Sequence, residues 1–182
     1  MFKHMSIART ILVASTSCLP SIFVPAYDLI GALRNTNHPL VGGFHPPLER
    51  ECLDILLSGS APVIVCPARQ FDPARDRLYP QHGVTWKAVK AGLVDGRVTI
   101  VEPPGMIGRR ITRPNAAKRN EWLLGQADRL LLLYASPGGE TERVVRLAID
   151  RGIPVSVLDH PANARWLELG ATVWASPEGT SR

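Results

Sequence analysis

Five cationic side chains, Arg109, Arg110, Arg113, Lys118 and Arg119, fall within eleven residues that contain no acid. Guanidinium groups pair with phosphate oxygens two bonds at a time, so a cluster of this kind suits phosphate. A solvated charge run is the ordinary alternative. Two glycine-bearing loops carry a second signal of the same chemistry. Val41-Gly42-Gly43-Phe44-His45-Pro46-Pro47 and Ser136-Pro137-Gly138-Gly139-Glu140-Thr141 each stand between an apolar run and a helical pattern. Small residues there let backbone N–H groups approach an anion, and the positive end of the following helix dipole favours it. His45 could reach a ligand from the first loop, and the hydroxyls of Ser136 and Thr141 from the second. Ser15-Thr16-Ser17 makes a third loop with hydroxyl and amide donors. A tight turn explains the first loop equally well, and helix capping explains the other two.

The same scan excludes several chemistries. Neither glycine loop fits G-x-x-x-x-G-K-[ST] or G-x-G-x-x-G, which disfavours a Walker-type NTPase and a standard NAD domain. No G-x-S-x-G elbow, Ser-His-Asp order or H-E-x-x-H occurs. Cys18, Cys52 and Cys66 are odd in number and lack C-x-x-C spacing. They point to a reducing compartment and against both a disulfide framework and a zinc site; neither a metal nor a cofactor is expected. Glu49 and Glu51 are expected to face solvent. Trp86, Trp122, Trp166 and Trp174 are expected to pack rather than to stack on bases.

Elements that alternate must position these loops. Short apolar runs at 11–14, 62–66, 97–101, 130–134, 154–158 and 171–175 read as buried strands. Helical spacing covers 21–33, 46–57, 86–93, 114–126, 140–151 and 162–169, with 67–83 a polar surface excursion. This order predicts βαβ units: a single Rossmann-like, three-layer α/β domain over 1–182, its core at about 10–175, with a mainly parallel sheet and helices on both faces. Ligands of such sheets bind beyond the carboxyl ends of the strands, where the three loops lie.

Composition agrees. Of 182 residues, 45% are hydrophobic and 20% charged, which excludes disorder. The balance of 21 basic to 16 acidic residues, net +5, admits a phosphorylated partner. Thr10 to Tyr27 is uncharged and faintly leader-like, but Pro20, Pro25 and the hydroxyl run interrupt it. The reading is therefore a cytoplasmic chain without a membrane segment.

Several segments, in order, resemble the Rossmann-like domain of the DNA-processing protein A (DprA/Smf) family. Arg119-Asn120-Glu121-Trp122-Leu123-Leu124-Gly125-Gln126-Ala127-Asp128 is similar to that family's R-N-R-I-I-A-G-L-S-D, with the apolar strand Leu130 to Tyr134 following. Val101-Glu102-Pro103-Pro104-Gly105 resembles its S-E-x-P-x-G stretch. Gly42-Gly43 stands in place of S-G-G-A, and Ser136 to Thr141 in place of S-G-S-x-x-T-A. The family's first loop carries G-S-R where this chain has Ala14-Ser15-Thr16-Ser17. The resemblance implies single-stranded DNA or a nucleotide as ligand. Ser15, Thr16, Ser17, Gly42, Gly43, Phe44, His45, Ser136, Gly138, Gly139 and Thr141 would lie on the phosphate side. Arg109, Arg110, Arg113, Lys118, Arg119 and Asn120 would make the basic contacts. It also implies a homodimer and a recombinase partner. The related LOG phosphoribohydrolases carry P-G-G-x-G-T-x-x-E, which Pro137-Gly138-Gly139 partly matches. That alternative implies cleavage of an N-glycosidic bond in a nucleoside monophosphate, with Glu140 or Glu142 as acid-base group and Arg119 on the phosphate.

Overall fold

Apolar β-branched and leucine-rich runs, bounded by glycine and proline, set the sheet. In a computed structural model, which describes residues 8–78 and 83–175, seven strands form: β1 (Thr10–Ala14), β2 (Leu40–Gly42), β3 (Val63–Val65), β4 (Val98–Ile100), β5 (Arg129–Tyr134), β6 (Val155–Val157) and β7 (Thr172–Val173). All pair in parallel in the order β4-β3-β2-β1-β5-β6-β7. Successive side chains point to opposite faces, so each inner strand feeds two cores. Leu12, Leu40, Val63, Val65, Leu131 and Leu133 pack under α1 (Pro20–Leu33), α2 (Pro47–Leu57) and α3 (Gly83–Val94). Ile11, Val13, Val41, Ile64, Leu130 and Leu132 pack under α4 (Arg113–Leu124), α5 (Glu140–Asp150) and α6 (Ala164–Leu167).

The expected alternation and the two-faced sheet are present, and the sheet is parallel throughout. The short strand Leu40–Gly42 carries the first glycine loop at its end. In the polar stretch 67–83, residues 79–82 lie outside the described ones, and so do the two ends, 1–7 and 176–182, of the expected 1–182 domain. Among the described residues the tryptophans pack: Trp86, Trp166 and Trp174 are buried, and Trp122 packs partly against the second core. No described helix is long and apolar enough to cross a membrane.

Two details bear on the site. Strand order reverses between β1 and β5, because the chain runs outward through β2, β3 and β4 and then returns to the other side of β1. Loops leaving these two strands diverge to opposite faces and open a crevice between them. The β1–β5 register also slips between Val13 and Ala14, beneath that crevice.

Candidate phosphate-binding site

A cavity of about 690 Å³ occupies this crevice. Its walls come from four loops and helix starts: Thr16 after β1; Gly43, His45 and Glu49 after β2; Thr112, Arg113, Arg119 and Asn120 on α4; and Gly138, Gly139, Glu140 and Thr141 after β5. Helices α4 and α5 both direct their N-terminal ends to it, so two positive dipole ends and the first-turn N–H groups of α5 converge there.

Helix α4 explains how a charged side chain comes to lie inside. Its buried positions Asn115, Arg119 and Leu123 recur every fourth residue and form one stripe. The C-terminal part of that stripe is apolar and lies on the sheet. The N-terminal part projects past the strand ends and is polar. Thr112 caps the helix by accepting the Asn115 N–H at 3.3 Å, and the Asn115 amide donates to Ile107 O at 2.8 Å, tying down the preceding loop. One turn on, Arg119 is 7% exposed. Its guanidinium donates to Cys66 O at 3.0 Å and to the Asn120 side-chain oxygen at 2.8 Å. Room for it exists only because residue 43 is glycine: a Cβ there would lie 1.4 Å from an Arg119 terminal nitrogen.

Glu49 overturns the expectation of a solvent-facing acid. It is 5% exposed and accepts the Ala14 N–H at 2.8 Å. Burial pushes its carboxyl up to about 7, against the opposing pull of Arg119 and of backbone N–H groups at Ala14, Phe44 and His45. His45 beside it is held below the usual imidazole range by burial and by Arg50 and Arg119, so the ring that lines the cavity is neutral at pH 7. Glu51 does face outward, bonded by the Tyr27 hydroxyl. Phe44, by contrast, is fully buried, with its side chain in the α1–α3 core.

The serine candidates knit the loops together. Ser15 Oγ accepts the Ser136 N–H at 2.8 Å, and Ser136 Oγ donates to Ser17 O at 2.7 Å, joining the ends of β1 and β5. Ser15→Ala leaves that N–H without its acceptor and is expected to lower stability by about 1–2 kcal/mol in denaturant titration. Glu142 plays a similar part in the second loop. Its carboxylate accepts Gly138 N–H at 3.0 Å and binds Arg146 and Arg165, contacts that hold it below the usual carboxylate range. Gly138 itself sits at φ 69°, the left-handed turn that swings these amides toward the cavity. Gly139, not a serine or threonine, occupies the α5 cap position. Glu140 lines the cavity and pairs with Arg143.

The basic cluster divides. Arg119 and Arg113 reach the cavity, the first inside and the second exposed at the start of α4. Arg110 and Lys118 are exposed outside its lining. Arg109 turns away to bond Asp76, in a separate cleft with Asp72 and Glu102. Among the described residues no group of side chains is arranged to hold a metal ion.

No family profile matches the chain, and no curated protein does. Solved structures establish the fold. DNA processing protein A from Streptococcus pneumoniae superposes with a TM-score of 0.67 at 16% identity, over 92% of this chain and 58% of that one. The same protein from Helicobacter pylori, described for its single-stranded DNA binding mode, gives 0.64 at 14% identity, over 91% and 74%. The molybdenum cofactor binding protein of Rippkaea orientalis gives 0.60 at 14% identity, over 94% and 89%. The DprA-like fold read from the sequence is thus the fold found, and this chain spans about three-fifths of the S. pneumoniae protein.

Proposed function

We propose that the chain is a binding protein for a phosphate-bearing ligand of nucleotide size, held at the carboxyl ends of β1 and β5. The observation that carries this reading is the convergence of two helix N-termini and two arginines, Arg113 and Arg119, on one cavity. Its volume falls within the roughly 300–1,000 Å³ of small-molecule sites. In this reading the phosphate sits at the first-turn N–H groups of α5, Glu140 and Thr141, with the exposed Arg113 closing over it. A binding role is preferred to hydrolysis because Glu142 is held ionised by two arginines and Glu140 is engaged by Arg143. Both carboxylates are taken up by arginine partners.

One further observation favours single-stranded DNA as the source of the phosphate. Exposed Arg110, Arg113 and Lys118 share the stretch 107–118 of the chain with the exposed apolar side chains of Ile107 and Ile111, a mixture that suits backbone phosphates and base faces together. The H. pylori relative is described for this kind of binding.

Calorimetric titration with AMP and anisotropy titration with labelled oligo-dT separate the two sources. Micromolar AMP binding, weakened about tenfold or more by Arg113→Ala, supports the mononucleotide site. Oligo-dT binding that falls steeply with salt and resists AMP moves the function to single strands. Absence of both would overturn the proposal.

A further inference from the structure

The first glycine loop looks open to phosphate in the sequence, but in the fold it already holds the Glu49 carboxyl group. The Glu49 carboxylate accepts N–H from Ala14 at the end of β1, and the N–H groups of Phe44 and His45 also act on it. Successive amides aimed at one point form an anion nest. Phe44 turns the chain there at φ 47°, the one non-glycine residue with positive φ among those described. Arg119, fixed by Cys66 O and Asn120, supplies positive charge beside it.

We infer that Glu49 is a specificity-determining residue, a built-in anion that closes the Gly42–His45 loop to phosphate and leaves the cavity one phosphate position, at the start of α5. The inference rests on the proposed nucleotide site for the identity of the ligand, though not for the nest. A second phosphate reaching inward from α5 toward Arg119 meets the ionised Glu49, and like charges at close quarters disfavour it. The cavity therefore selects nucleoside monophosphates over diphosphates.

The test has two arms, both run at about pH 8, where Glu49 is ionised. Calorimetry with AMP and ADP compares the natural protein with Glu49→Gln, which keeps the shape and loses the charge. The natural protein should bind ADP no more tightly than AMP, and Glu49→Gln should improve ADP relative to AMP about tenfold. An unchanged ratio overturns the inference. The second arm needs no nucleotide. Thermal unfolding of Glu49→Ala is followed in sodium formate and in sodium chloride of equal strength. Formate refilling the nest should raise the midpoint about 5 °C more than it does for the natural protein. Equal shifts overturn the nest. If Glu49→Ala does not fold in chloride, soluble protein recovered by refolding in formate counts as rescue, and its absence counts against the nest. Rescue by formate without binding of either nucleotide overturns the nucleotide reading while upholding the nest.

Discussion

Alanine at position 43 is expected to remove the cavity's fixed positive charge and to destabilise the protein by about 2–4 kcal/mol, a large effect for a single methyl group. Gly43 is absent from the positive-φ positions, so its backbone would accept an alanine without strain. The obstacle is space. The added carbon would lie 1.4 Å from one terminal nitrogen of Arg119 and 2.3 Å from its Cζ. The guanidinium has to leave, losing its bond to Cys66 O and depriving Glu49 of its counter-charge. A double-mutant cycle identifies the cause. In an Arg119→Ala background the methyl group has room, so Gly43→Ala should then cost little, and the coupling energy should recover most of the single-mutant effect. AMP affinity should fall by less than the tenfold of Arg113→Ala in either single variant, because Arg119 lies inward of the phosphate, and no further in the double. Additive losses of stability would mean that residue 43 acts through something other than Arg119.

The second large effect is on pH. The Glu49 carboxyl titrates at about 7 in the fold against an ordinary value of 4.5. The folded state therefore holds this proton more tightly than the unfolded one. Its contribution to stability is complete below about pH 4.5 and is lost as pH rises through about 7, a swing of about 3 kcal/mol. His45 acts in the opposite sense: its folded value is lowered, so its titration favours the fold as pH rises through the imidazole range. Subtraction isolates Glu49. The stability of the natural protein minus that of Glu49→Gln should decline from about pH 5 to pH 8. A difference that is flat with pH would mean that the carboxyl is not strongly desolvated.

Strands and helices were legible because both faces of the sheet are buried. Runs such as Leu130 to Leu133 have no solvent side, and helix α5 alternates its faces cleanly. The three loops could be placed at strand ends by the same logic. What escaped the sequence reading is which charged residues turn inward. Arg119 lies in a run of cations that looks solvated, and only the distant Gly43 makes room for it. Glu49 left a trace: with Cys52, Leu53 and Leu56 it follows the i, i+3, i+4, i+7 spacing of the buried α2 face. An acid one turn into a helix is ordinarily expected to face solvent, and that expectation hid the pattern. The tying role of Ser15, Ser17 and Ser136 depends on β1 and β5 being neighbours. Residues 121 apart in sequence meet only through strand order.

Phosphate is expected to bind where the N-termini of α4 and α5 converge, and amide chemical-shift mapping during an AMP titration reads its position residue by residue. Shifts should concentrate at Glu140 and Thr141, with smaller changes at Thr16 and along Arg113 to Asn120, and the Phe44 and His45 amides should move little because Glu49 lies against them. Shifts centred on the separate cleft of Asp72, Asp76 and Arg109, or no shifts at saturating AMP, would rule out a phosphate site at these helix ends.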